Sequence, residues 1–394
     1  MKKNTLIASF LLLVFLLACR RDRQPGDLYP AVTAAFGTNI NLNSLANYAA
    51  QARPAYILKD NSGANTITNA KATLGRVLFY DKQLSINNSV SCGSCHRQEF
   101  AFSDTAIASK GVEGGVTTRH SMRLVNSRFG TEVRFFWNER APSLELQTTE
   151  PIRDHAEMGF SGQNGRPAFS SLLPKLQAIG YYKELFRFVY GDETVTETRL
   201  QECLSQFIRS IQSFDSRYDA GRAQMPDDGR PFPNFTAQEN QGKQLFLNRP
   251  AFGPNGIRTG GGAGCISCHR PPEFDIDPNS RNNGIIEVIT GSTPDLGNTR
   301  SPSLRDLTRA DGTVNSPMMH TGRMPTLRSV IAHYNLIVHN PAQNQNIDPR
   351  LTPGGVGQNL NLTNTETDAL VAFLQTLAGN ALYTDKRWSN PFQQ

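Results

Sequence analysis

Cysteine and histidine are scarce, with six and seven residues in a chain of 394. An apolar/polar alternation sustained over several strands is missing from both halves, so the pattern excludes an all-β architecture and leaves a mainly helical one with much loop. The one long apolar run, Leu6 to Leu17, is too short and too abruptly ended to be a good membrane span. A large charge excess is missing as well: the formal +6 falls to +4 once Lys2 and Lys3 are set aside.

Five of the six cysteines stand in patterned positions. Cys92-Gly93-Ser94-Cys95-His96 and Cys265-Ile266-Ser267-Cys268-His269 are two copies of C-x-x-C-H, through which haem is attached covalently. Two thiols one short loop apart add to the two vinyl groups of one porphyrin, and the adjoining imidazole supplies an axial ligand. A single structural zinc site built from both pairs fits poorly, because the pairs lie far apart and each is followed at once by His. A thioredoxin-like redox pair would need a βαβ surround, which is not there. Cys203 stands on the apolar face of a helix and reads as a buried thiol. The four propionates of two haems would bring the holoprotein near neutrality, so the high pI implies no nucleic-acid partner.

Lys2 and Lys3 before Leu6 to Leu17, then Leu16-Leu17-Ala18-Cys19, resemble an export signal with a lipoprotein cleavage box. The expectation is a leader over 1–18, an acylated Cys19 that holds the protein to a membrane, and a cell-envelope, periplasmic location. An ordinary signal peptide with an incidental Cys is the plainer reading. Arg20 is not the Asp that commonly retains lipoproteins in the inner membrane, which leans toward the outer one. Residues 19–50 read as tether and N-terminal extension.

One unit is used twice. Thr66 to Tyr80 reads as a helix containing Gly75-Arg76-Val77-Leu78-Phe79, and the first haem motif follows. Thr236 to Glu239 is a capping box opening a second helix with Gly242-Lys243-Gln244-Leu245-Phe246, again leading to a haem motif. Each half closes on an amphipathic helix: Leu200, Cys203, Leu204, Phe207, Ile208 and Ile211 in the first, Leu370, Phe373, Leu374 and Leu377 in the second. The expected architecture is two cytochrome c-like domains, 51–228 and 229–394, each with one covalent haem. Met225 to Pro233 reads as the linker and Pro250 to Gly264 as a flexible lead-in.

The long segment after the first motif contains Phe135-Phe136-Trp137-Asn138-Glu139-Arg140-Ala141, then Leu144 and Gln147, Pro151, and Glu157-Met158. Here the chain resembles the bacterial di-haem cytochrome c peroxidase family, which includes the MauG-type enzymes. Leu74 to Asp81, Pro302 to Arg305 and Met319 to Arg323 carry the same resemblance. It implies a peroxidatic haem held by His96, a relay haem held by His269, and Trp137 between them. It further implies Glu157 as the proton-moving carboxylate and Gln147 as the group that orients peroxide. The implied reaction reduces hydrogen peroxide to water with electrons from a small cytochrome c or cupredoxin. The resemblance also admits a calcium ion between the haems and a homodimer.

Three positions depart from the family pattern. Val112 stands where many members carry a His that caps the peroxidatic iron, so the His96 haem is expected to stay open. His120 replaces an Asn associated with calcium; it could act as an alternative ligand or be structural, with His155 a minor candidate. Tyr334 stands where typical peroxidases have the distal Met of the second haem, as in MauG-type proteins, with Met318, Met319, Met324 and His333 as alternatives. His320 more naturally bonds a propionate or shapes its loop. These departures keep open a MauG-like oxidation of a protein or organic substrate, and a pure electron-transfer cytochrome remains the non-enzymatic alternative.

Overall fold

The computed structural model describes residues 27–131, 134–276 and 278–392. The leader, Cys19 and the tether as far as Gly26 lie outside the described residues. Among those residues no helix is long and apolar enough to cross a membrane.

The first half contains α1 (Pro30–Phe36), α2 (Asn69–Tyr80), α3 (Cys92–Cys95), α4 (Leu144–Arg153), α5 (Leu172–Gln177), α6 (Gly180–Tyr190) and α7 (Glu197–Ser210). Next come α8 (Arg217–Arg222), α9 (Ala237–Leu247), α10 (Leu327–Asn335) and α11 (Asn364–Gln375). Among the described residues strands are confined to two antiparallel pairs, β1 (Pro250–Phe252) with β2 (Arg258–Gly261) and β3 (His269–Arg270) with β4 (Asp275–Ile276). The mainly helical expectation holds. The lead-in at 250–264 is a short hairpin, and α2 starts at Asn69 because the Thr68 hydroxyl caps it, accepting from Lys71 N at 3.2 Å.

The repeated G-[RK]-x-L-F motif has a physical basis. α2 crosses α7 and α9 crosses α11, and at each crossing the backbones touch. A Cβ on Gly75 would lie 1.9 Å from the Cys203 carbonyl oxygen, and one on Gly242 would lie 1.8 Å from that of Ala369. Only glycine fits. The next residue is a buried cation that clasps main-chain carbonyls: Arg76 Nε donates to Ser389 O at 2.7 Å, and Lys243 Nζ donates to Asp228 O at 2.9 Å. The motif Phe then packs on the crossing partner, Phe79 on Phe207 at 5.1 Å and Phe246 on Phe373 at 5.3 Å between ring centres.

The two cores do not follow a single cut in the sequence. Val32, Phe36 and Tyr48 belong to the first core, so most of the 19–50 extension that is described is integral. So do Leu382 and Trp388, expected in the second domain. Tyr48 OH donates to Arg387 O at 2.8 Å and Tyr80 OH to Trp388 O at 2.6 Å, strapping the chain's end across the first half. Conversely Tyr218 and Phe232 lie in the second core, so 225–233 is a packed segment and not a free linker. The crossover falls between α7 and α8.

Gly75→Val should disrupt the α2/α7 crossing, with overpacking of at least about 1–3 kcal/mol. The expected outcome is a lower melting temperature and lower haem content, whereas Gly63→Ala, with nothing within 4 Å of the added Cβ, should leave both near the parent values.

Candidate active site: two cavities with a shared wall

Each C-x-x-C-H loop opens onto its own cavity. The first is lined by Cys92, Cys95 and His96 together with Phe79, Leu144, Met158 and Leu204. The Cys92 and Cys95 thiols form no disulfide. His96 Nδ1 lies 2.9 Å from the Phe102 carbonyl. That bond fixes the proton on Nδ1 and leaves the Nε2 lone pair for a metal. The left-handed turn at Ala101 (φ 56°) and Phe102 (φ 57°) brings the carbonyl into place.

The second cavity is lined by Cys265, Cys268 and His269 with Phe246, Ile331 and Leu370. The Pro302 carbonyl lies near the His269 imidazole, but His269 Nδ1 makes no hydrogen bond of the kind that holds His96. Two free thiols, an adjoining imidazole and a largely apolar cavity are what a covalently attached haem needs, and both sites fit it.

Trp137, His120, Arg123 and Arg300 line both cavities. Trp137 is 9% exposed and its Nε1 donates to the His120 carbonyl at 2.7 Å. His120 N donates to His320 O at 2.8 Å, and Arg300 N donates to Trp137 O at 2.8 Å. The indole is thereby tied to both halves of the chain. Burial pulls the Arg123 guanidinium down to about 10 and that of Arg300 to about 9. Carboxylates carried in by a ligand, such as haem propionates, would offset that cost. Neither arginine was marked by the sequence pattern, since nothing in their spacing distinguishes them from surface arginines.

Glu157 and Gln147 line the first cavity with His96. Gln147 and Pro151 are on α4, and the chain turns only after Arg153. Glu157 follows in a turn whose N–H groups at 156 and 157 donate to Asp154 Oδ1 at 2.8 and 3.0 Å. Burial pushes the Glu157 carboxyl up to about 7; the Asp154 carboxylate adds to the rise, and Arg140 opposes it. Arg140 lies over the Phe136 ring, 3.4 Å from its centre.

The segment bearing Val112 is clamped on this turn. Val112 N donates to the Glu157 carbonyl at 3.0 Å, and a Cβ on Gly111 would lie 1.9 Å from Ala156 O. Val112 is fully buried and lines neither cavity.

The other histidines sort by their contacts. His120 has Nδ1 at 2.9 Å from Ala106 O and Nε2 at 3.3 Å from Ser103 Oγ, so its ring is committed to the protein. His155 Nδ1 is bonded to Ser161 Oγ at 2.9 Å and His333 Nε2 to Asn283 O at 2.9 Å. The buried His320 ring lies 6.2 Å from that of Trp137, and both of its nitrogens lack a protein hydrogen-bond partner. In the second cavity Tyr334, Met318 and Met319 all line the wall; Met324 does not. Burial holds the Tyr334 phenol above its ordinary value, so it stays neutral until a cation approaches.

Sequence comparison agrees with the geometry. The profile of the di-haem cytochrome c peroxidases matches residues 69–225. The methylamine utilization protein MauG of Methylophilus methylotrophus is 28% identical over 330 residues, 81% of this chain and 85% of that one. Over residues 69–225 the chain matches the di-haem cytochrome c peroxidase family, and its similarity to members of that family extends over about four-fifths of its length. This di-haem protein is accordingly a haem-dependent oxidoreductase with two c-type haems. The cytochrome c551 peroxidase of Nitrosomonas europaea is 25% identical to it over 78% of this chain and 80% of that one. Among solved structures, a MauG-like protein associated with microbial copper homeostasis is 27% identical, with 86% of this chain and 98% of that one covered and a TM-score of 0.65. The di-haem peroxidase BthA of Burkholderia thailandensis, 22% identical, shares the fold with a TM-score of 0.60 over 86% of this chain and 90% of that one.

Trp137→Phe keeps an aromatic ring but leaves the His120 carbonyl without its donor. A loss of about 1–3 kcal/mol is expected, measured by thermal unfolding of the holoprotein against the parent.

Proposed function

We propose that this di-haem protein reduces hydrogen peroxide to water at the His96 haem, with electrons from a small cytochrome c or cupredoxin entering at the His269 haem. The observation that carries this is Glu157, a carboxyl raised to about 7 in the same cavity as His96 and Gln147. Haem, when bound, supplies the iron at which peroxide is held and the two oxidising equivalents are stored. Glu157 takes the proton from one peroxide oxygen and returns it to the other, which leaves as water. The Gln147 amide orients the peroxide by hydrogen bonding. Trp137, in the wall common to both cavities, is the conducting position between the haems.

The clamp of 110–116 on the Glu157 turn supports a site assembled in the resting protein, with no reductive activation. A calcium ion forms no part of this reading. The Asp295 carboxylate is taken by Arg119, whose Nη2 donates to Oδ2 at 2.6 Å, and the His120 ring is turned to Ala106.

A second reading is MauG-like oxidation of a protein or organic substrate, favoured by Tyr334 in the wall of the second cavity. Oxidation of such a substrate with peroxide but no added donor protein would support it. A pure electron carrier would instead have two ferric haems inert to peroxide.

Stopped-flow mixing of the ferric holoprotein with stoichiometric peroxide tests the first reading. A fast Soret change is expected. Since Glu157 must begin ionised to accept a proton, the rate should rise with pH through about 7 and decline below it. Glu157→Gln should be slower by about 10²–10⁴-fold and lose that pH dependence; unchanged turnover in the variant would remove Glu157 from the reaction.

We further propose that the protein is exported and lipid-anchored to the cell envelope through Cys19, on the leader pattern at Leu6 to Cys19. Mass spectrometry of the mature N-terminus should find a diacylated Cys19; an unmodified N-terminus elsewhere would exclude the anchor.

A further inference from the structure

Two phenols share one carboxylate oxygen beside the first haem-attachment loop. Tyr181 OH and Tyr182 OH each donate to Asp81 Oδ2 at 2.7 Å. Asp81 is 4% exposed, and its other oxygen accepts from Gln83 N at 2.8 Å. Tyr182 is fully buried in the core against which Cys92 packs. Tyr181 is half-buried at the outer end, its ring centre 4.7 Å from that of Tyr182 and 6.2 Å from Phe392. The pair therefore runs from the core that holds the first attachment loop to the half-buried face of α6 in two aromatic steps.

A third tyrosine packs directly on the attachment loop and serves as an internal comparison. Tyr80 packs so tightly on Gly93 that a Cβ there would lie 2.5 Å from its ring. Its hydroxyl donates to the Trp388 main-chain carbonyl at 2.6 Å. An oxidised phenol sheds its proton, and a peptide carbonyl is too weak a base to take it. A carboxylate can take it, and only Tyr181 and Tyr182 of these three have one.

We propose that Tyr182, Asp81 and Tyr181 form a one-electron exit from the first haem site to the surface, delivering oxidising equivalents from hydrogen peroxide to a small phenolic reductant when the donor protein is absent. It rests on the peroxide-reducing reading above. Tyr182 gives one electron to the haem at Cys92 after that haem has reacted with peroxide, and its phenolic proton passes to Asp81 Oδ2. Tyr181 then gives an electron to Tyr182; Asp81 returns the first proton to the Tyr182 oxygen and accepts that of Tyr181. Tyr181 is restored by an electron from the external phenol and the proton held on Asp81, while the phenol releases its own proton to solvent. Two such events use both equivalents of one peroxide, with two phenols each losing one electron and one proton and two waters formed. The two hydroxyls meeting on one oxygen let a proton follow each electron without crossing the apolar core.

The test uses the holoprotein with stoichiometric peroxide and no donor, following the Soret band in parallel with electron paramagnetic resonance of frozen samples. A tyrosyl signal is expected in the parent, lost in Tyr182→Phe and retained in Tyr80→Phe. In Tyr181→Phe, peroxide-driven oxidation of added phenol should be lost. A full tyrosyl signal in Tyr182→Phe, with its Soret response intact, would overturn the exit while leaving the peroxide chemistry standing. No Soret response in the parent would remove the oxidant, and the exit with it. Should Tyr182→Phe fail to hold haem, Tyr181→Phe at the half-exposed end decides alone, and undiminished phenol oxidation there overturns the proposal.

Discussion

Two apolar cavities face each other across one wall, and that wall must be closed without stranding polar groups between them. Buried backbone and indole N–H groups are costly unless paired. The bond from Trp137 Nε1 to the His120 carbonyl, extended by His120 N to His320 O and Arg300 N to Trp137 O, pairs these groups with one another. The three segments come from both halves of the chain. The same bonds that satisfy the wall therefore fix the spacing of the two cavities and hold the indole between them.

The two cavities share a scaffold and differ in chemistry. In both, a glycine lets the two helices of a crossing touch, a buried cation holds a passing strap of main chain, and a phenylalanine seals the crossing. What distinguishes the first is the α4 segment, which adds Gln147 and then a turn with Glu157. The clamp from 110–116 keeps that turn in place through main-chain contact alone. A carboxyl there is poised near neutrality because it is desolvated but not paired with a cation at short range. The second cavity offers Tyr334 and two methionines, groups suited to iron ligation and not to proton transfer.

The exit at Tyr182 and Tyr181 follows from the same economy of structure. Asp81 ends α2 and caps the short turn that follows, so a carboxylate required for local folding also collects two phenols from α6. No extra element is needed to place it near the first attachment loop, since Tyr80, the residue before Asp81, packs on Gly93.

Much of this was legible in the residues. C-x-x-C-H requires covalent haem because of what two thiols and an imidazole at that spacing can do, and the repeated glycine-cation-phenylalanine motif announced two equivalent halves. Helical periodicity located α7 and α11 correctly, because their apolar faces are local. The cut between domains was misplaced, since Trp388 returning to the first core and Tyr218 joining the second depend on contacts hundreds of residues apart or on no periodic signal. Val112 could be read as unable to ligate iron, but not as part of a clamp. Arg123, Arg300 and the Asp81 pair of phenols were invisible for the same reason. Cofactor attachment, helical class and duplication follow from residue order alone, since all three rest on short-range chemistry. The shared wall, the raised carboxyl and the phenol pair arise with folding, because burial and hydrogen bonding between distant segments exist only once those segments have met.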